Sequence, residues 1–278
     1  MSYAEVNGLS LHYQPHGSGD GAPLVLLHGG FGAAEMLGPV LPALAETRRV
    51  IAVDLQGHGR TADIDRPLRP EALADDIAGL IESLGLARAD LMGYSLGGLT
   101  ALRTAIQHSN LINHLVVVSV PGRRSGNHPE VVAQMDELHP DLAEMMKQTP
   151  IYEHYSRVSP RAEDWPVLVA KMGELLKRDY DWTDEIAKIT APTMLVFADA
   201  DATQPGHIVE LFALLGGGLR DAGVDGSGRP AARLAILPGA THYDLLFSPL
   251  LAPAVTPFLD TPLPDTRAVP HTAPASHE

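Results

Sequence analysis

The chain predicts an α/β fold: a mainly parallel, doubly wound sheet of eight strands that begins with an antiparallel hairpin and takes a helical cap after its sixth strand. Three observations carry this. Continuous apolar runs recur along the 278 residues, with helix-like stretches between them, as strands covered on both faces do. Asn7-Gly8 stands between Ala4-Glu5-Val6 and Leu9-Ser10-Leu11-His12-Tyr13, the strongest short hairpin signal. Finally, Leu91-Met92-Gly93-Tyr94-Ser95-Leu96-Gly97-Gly98 places a serine where an apolar strand gives way to a helix, the G-x-S-x-G elbow.

After the hairpin, Pro23 to Leu27, Arg49 to Val53 and Ala89 to Met92 read as the third, fourth and fifth strands. The segment from Gly98 to Ile106 has the apolar spacing of a helix. Leu115 to Val118, Thr193 to Phe197 and Leu234 to Leu237 complete the sheet, the last followed by a Pro-Gly turn. The connection between Val120 and Thr193 is too long for an ordinary loop, and residues 122–190 are read as the cap. Within it, His128 to Leu138 has a proline suited to a first helical turn and an apolar face through Val131, Val132, Met135 and Leu138. Asp141 to Lys147 reads as a second helix; a third begins at Ser159-Pro160, is interrupted at Trp165-Pro166 and resumes through Leu168, Met172 and Leu175. Gly216-Gly217-Gly218 stops a helix running through Ile208, Leu211, Phe212 and Leu215. Residues 1–121 and 191–260 thus form a core domain, and the proline-rich, polar stretch 261–278 a flexible tail.

Composition narrows the function classes. With no cysteine, disulfides and thiolate catalysis are excluded. A net charge of −14 disfavours nucleic acid and anionic membranes as partners. No apolar run is long enough to span a bilayer, and Met1-Ser2-Tyr3-Ala4-Glu5 lacks the basic start of a signal peptide, so a cytoplasmic protein is expected. No phosphate-loop pattern G-x-x-x-x-G-K-[ST] occurs.

A serine hydroxyl is a poor nucleophile unless it is presented to a base. In the elbow order Ser, Asp or Glu, His, the base is His242: of thirteen histidines it is the one that follows a late strand through a Pro-Gly turn. Two carboxylates, Asp199 and Asp201, follow the strand ending at Phe197, where open α/β sheets gather functional groups.

Five features taken together resemble the α/β-hydrolase fold superfamily over about residues 1–260: His28-Gly29-Gly30-Phe31, Asp54-Leu55-Gln56-Gly57-His58-Gly59-Arg60-Thr61, the elbow, Asp201 with Pro205, and His242. The resemblance implies Ser95 as nucleophile, His242 as base and Asp201 as its orienting acid, with Asp199 a rival. It implies an oxyanion hole made by the amide of Leu96 with that of Gly30 or Phe31. His28, His58 and Arg60 are expected to shape loops. The implied activity is a cofactor-free, metal-free serine hydrolase of small-molecule carboxylic esters, with lactones and thioesters in its range. Tyr94, Met135, Met146 and Trp165 are the candidate substrate contacts. Epoxide hydrolases and haloalkane dehalogenases use aspartate where Ser95 stands. Carbon–carbon bond hydrolases, hydroxynitrile lyases and perhydrolases keep the serine and remain open, as does a non-catalytic ligand receptor.

Overall fold

Asn7 and Gly8 both adopt left-handed backbone, with φ of 50° and 80°, which a two-residue hairpin turn between right-twisted strands requires. They join β1 (Ser2–Val6) to β2 (Leu9–His16) antiparallel, with Val6 opposite Leu9. The computed structural model describes residues 2–19 and 21–263; the sequence-predicted tail lies outside them from residue 264 on. After the hairpin come β3 (Leu24–Leu27), α1 (Val40–Ala45), β4 (Val50–Val53), α2 (Pro70–Ser83), β5 (Ala89–Tyr94), α3 (Leu96–Gln107) and β6 (Ile112–Val118). An inserted helical segment follows: α4 (Pro129–Glu137), α5 (Leu142–Met146), α6 (Pro150–Val158), α7 (Trp165–Lys177) and α8 (Thr183–Ile186). The chain returns through β7 (Thr193–Ala200), α9 (Pro205–Leu214), β8 (Arg233–Thr241) and α10 (Leu251–Leu259). The sheet has eight strands in the order β1-β2-β4-β3-β5-β6-β7-β8. β2 pairs antiparallel with β1 and β4, and all pairs from β4 onward are parallel.

The continuous apolar runs have a direct cause. In β3, Val25 and Leu27 join a core with α2 and α3, whereas Leu24 and Leu26 join a second core with α1 and α10. β6 divides in the same way, Leu115 and Val117 to one face and Val116 and Val118 to the other. A polar residue at any of these positions would lose its water on either face.

Three local features differ from the sequence reading. Trp165-Pro166 starts α7 instead of interrupting an earlier helix, because proline suits the first turn, where its missing N–H is not needed. α6, for which the sequence reading had no helix, begins on Thr149-Pro150 with the Thr149 hydroxyl accepting from the Tyr152 N–H at 3.5 Å. The Pro238-Gly239 pair, read as a turn beyond the last strand, lies inside β8 as an irregularity: Leu237 pairs with Ala198 and Thr241 with Ala200. Among the described residues no helix is long and apolar enough to cross a membrane.

Candidate active site

β5, β6, β7 and β8 end side by side, and four side chains meet just past their carboxyl ends. At the elbow, a Cβ on Gly93 would lie 2.0 Å from the Gly97 carbonyl oxygen, and one on Gly97 2.5 Å from the His28 oxygen. Strand and helix close on each other with no room for a side chain at either place. Ser95 between them takes φ 52° and ψ −117°, a backbone region that glycine fills easily and serine only under strain. Its N–H is tied to the Val118 carbonyl at 3.0 Å, and its Oγ stands 3.2 Å from His242 Nε2. Tyr94 lies beside His242, ring centroids 5.5 Å apart, and its hydroxyl donates to the His242 carbonyl.

Asp201 is the carboxylate that faces this histidine. Oδ1 is 3.8 Å from His242 Nδ1 and accepts from the Thr203 N–H at 3.2 Å; Oδ2 accepts from the Ala198 N–H at 2.9 Å. Burial alone would raise its pKa, but the interactions with His242, Ser119 and the Ala198 amide outweigh that and hold it below the ordinary carboxylate value. Asp199 does something else. Its two oxygens accept from the N–H groups of Gly239 and Ala240 at 2.9 and 3.2 Å, clasping the irregular stretch of β8 that leads to His242. It caps no helix; α9 begins after Gln204.

Ser119 is the residue that the sequence reading missed. It follows β6 with φ 59°, is 2% exposed, donates to Asp201 Oδ2 and stands 3.1 Å from His242 Nδ1. The available signal was a hydroxyl directly after the apolar run Leu115 to Val118, beside the strand that leads to Ser95.

Gly29-Gly30-Phe31 turns tightly, with the Gly32 N–H bonded to the Gly29 carbonyl at 3.0 Å and Phe31 at φ 58°. A Cβ on Gly29 would meet the Tyr94 ring at 2.9 Å and Ser95 Cβ at 3.4 Å, and one on Gly30 would lie 3.9 Å from Leu96 Cβ. The loop therefore lies against the elbow. His28 orders it, as expected: Nδ1 binds the Gly29 carbonyl at 2.7 Å and Nε2 accepts from the Leu55 N–H at 3.1 Å. Asp54 accepts from the N–H groups of Ala34 and Arg60 at 2.6 and 2.9 Å and from His12 at 2.8 Å. His58 binds the Gln56 carbonyl at 2.8 Å, and Arg60 pairs with Glu35 at 2.5 Å.

Burial keeps His28 and His58 neutral: it lowers the pKa of both, that of His58 to about 3. In the unfolded chain each ring takes up a proton near about pH 6.5. Between that pH and the lower folded value the unfolded state binds more protons, so stability is fullest above pH 6.5 and falls as the pH drops. His58 contributes at most about 2–3 kcal/mol of this loss between pH 6.5 and 4.5. Urea midpoints measured across that window should fall steadily, and His58→Gln should flatten the slope; parallel slopes for the two proteins would remove His58 from the account.

The Oγ of Ser95 opens on a cavity of about 400 Å³. Its walls are Phe31, Leu96, Leu99 and Val120 from the sheet side and Val131, Met135, Leu138, Ile151, Met172, Leu175, Leu176 and Tyr180 from the inserted segment, with Asn127 and Gln134 as polar members. Among the described residues no lysine, arginine, aspartate or glutamate lines it. Of the four sequence-predicted contacts, Tyr94 and Met135 line the cavity and Met146 and Trp165 do not. Trp165 is fully buried inside the helical segment, against Phe31, Tyr152 and Tyr155 at 5.0 to 5.6 Å between centroids, with its indole N–H on the Ala143 carbonyl at 2.9 Å. α4 buries no residue in the core; its apolar face is a cavity wall. Among the described residues no cluster of histidine, aspartate and glutamate suits a metal ion.

The sequence model described as the alpha/beta hydrolase family matches residues 24–256. The chain belongs to that family. RutD of Variovorax paradoxus (strain S110), named for carbamate hydrolysis, is 31% identical over 218 residues, covering 71% of this chain and 80% of that protein. The 2-hydroxy-6-oxo-6-(2'-aminophenyl)hexa-2,4-dienoic acid hydrolase of Metapseudomonas resinovorans is 35% identical over 109 residues, 38% of each chain. Among solved structures, the enol-lactonase from Burkholderia xenovorans LB400 superposes with a TM-score of 0.68 at 24% identity, over 93% of this chain and 99% of that one, a likeness of fold. In this hydrolase family the elbow serine and the histidine beside it stand at the end of the sheet where such folds place their sites.

Proposed function

We propose that this hydrolase is a cofactor-free serine esterase acting on neutral carboxylic esters with an apolar acyl or alcohol part. The observation that carries the reading is Ser95 Oγ 3.2 Å from His242 Nε2 on the wall of a cavity that, among the described residues, no lysine, arginine, aspartate or glutamate lines. Ser95 attacks the carbonyl while His242 takes its proton, and His242 then gives that proton to the leaving alcohol. The N–H of Leu96, the first residue of α3 and so without an intrahelical acceptor, and that of Gly30 or Phe31 in the adjoining turn hold the oxyanion. Water activated by His242 releases the acid. The inserted segment serves as a cap that supplies most of the apolar wall.

The uncharged lining favours this over the acidic substrates that the Metapseudomonas resinovorans relative is named for. A dienoate brings a carboxylate, and burying one with no cation to meet it costs several kcal/mol. The test is hydrolysis of p-nitrophenyl butyrate, hexanoate and octanoate against p-nitrophenyl monoesters of diacids of matched length. The neutral series is expected to be turned over at least about tenfold faster in kcat/KM, a difference of about 1.4 kcal/mol. Preference for the anionic series would sink the assignment of substrate class, and no turnover of either would turn attention to amides, carbamates or carbon–carbon bonds.

A further inference from the structure

Asp201 and His242 do not touch. The nearest approach, Oδ1 to Nδ1, is 3.8 Å, beyond a hydrogen bond, and the carboxylate is not free to swing closer, because the Thr203 and Ala198 amides hold one oxygen each. Ser119 Oγ occupies the gap, donating to Asp201 Oδ2 and lying 3.1 Å from His242 Nδ1. Resting on the reading above, we infer that Ser119 is a positioning residue that transmits the orienting effect of Asp201 to His242, so that the working chain is Ser95, His242, Ser119, Asp201.

The hydrogen inventory makes the assignment unique. An ionised carboxylate can only accept, so the single hydroxyl proton of Ser119 goes to Asp201. The Ser119 lone pairs can then only accept from His242, which places the ring proton on Nδ1. Nε2 is left bare toward Ser95 Oγ, the state a general base needs. When His242 takes the Ser95 proton on Nε2, it keeps its Nδ1 proton, and the positive ring is stabilised through a hydroxyl whose own proton is held by the carboxylate. No proton moves from His242 to Asp201. The φ of 59° at Ser119 fits such a duty: a strained backbone at a site is retained where its surroundings fix it in place. The Ser119 N–H, bonded to the Val196 carbonyl of β7 at 2.8 Å, provides that fixation.

The test uses the full chain and the rate of covalent labelling by a fluorophosphonate, which reads activation of Ser95 without knowledge of the natural substrate. Ser119→Gly removes the hydroxyl and suits a positive φ, so folding should survive, checked by its melting temperature; Ser119→Ala is the second variant. Both are expected to lower the maximal labelling rate about 10- to 100-fold, the scale of one charge-assisted hydrogen bond, while half-saturation stays unchanged. Asp201→Asn will be slow by itself. In series with it, Ser119→Gly should add nothing, so the double variant labels at the Asp201→Asn rate, whereas a merely structural role would multiply the two losses. Native-rate labelling by Ser119→Gly, or multiplied losses, overturns the inference and leaves the serine-hydrolase reading standing. A native protein inert to the probe overturns both.

Discussion

Ser95→Ala is expected to lower ester turnover by about 10⁴- to 10⁶-fold, the range seen when an activated serine is removed, with little change in stability. Ser95→Gly should be equally inactive and yet the more stable of the two. At φ 52° and ψ −117° any side chain carries a backbone penalty of about 1–3 kcal/mol. Glycine does not, although it returns roughly 0.4–1 kcal/mol to the unfolded chain as conformational freedom. The net gain over both serine and alanine is about 1 kcal/mol, a few degrees in melting temperature for a protein of this size. The comparison separates two statements about one residue. Retained turnover in Ser95→Ala would remove it as nucleophile, and a Ser95→Gly protein less stable than Ser95→Ala would remove the strain.

The second large effect is structural. Gly93→Ala should destabilise by more than about 4 kcal/mol or abolish folding, since this class of loss needs a named steric cause and here there is one. The new Cβ would lie 2.0 Å from the Gly97 oxygen and 2.3 Å from the Gly97 carbonyl carbon, both backbone atoms at the junction of β5 and α3. Neither can step aside without parting the strand from the helix, and with them the two cores that flank the sheet. Gly206→Ala is the matched control: nothing stands within 4 Å of its Cβ and its φ is ordinary, so α9 should gain slightly from alanine. Denaturant titration of both proteins beside the native one decides the matter, and a native-like midpoint for Gly93→Ala would mean that strand and helix are not in contact there.

What could be read in the residues and what could not follows a physical line. β3 and the runs Leu115 to Val118 of β6 and Met194 to Ala198 of β7 were legible because burial on both faces selects apolar residues there, and the elbow because steric exclusion dictates two glycines at fixed spacing. Asn7-Gly8 announced its own turn. In contrast, Ser119 acquires meaning only through the register that sets Val118 of β6 opposite Val196 of β7, and no local pattern encodes that pairing. Pro238-Gly239 looked like a turn because its stabilising partner, Asp199, lies forty residues away in the chain. Met146 and Trp165 were named as substrate contacts on composition, yet an apolar side chain that faces a cavity and one that packs a helix bundle are chemically the same. Only their neighbours tell them apart.

The groups that meet Ser95 all stand on the turns that end strands, whereas much of the wall around the space before it stands on α4, α6 and α7. These are separate stretches of chain, and most side chains of α4 contribute nothing to the interior of the protein. Exposed helix faces tolerate exchange far better than packed ones. The molecule is in effect a fixed tool with a replaceable jig: a lineage could refit the jig to new molecules one residue at a time while the tool kept its edge.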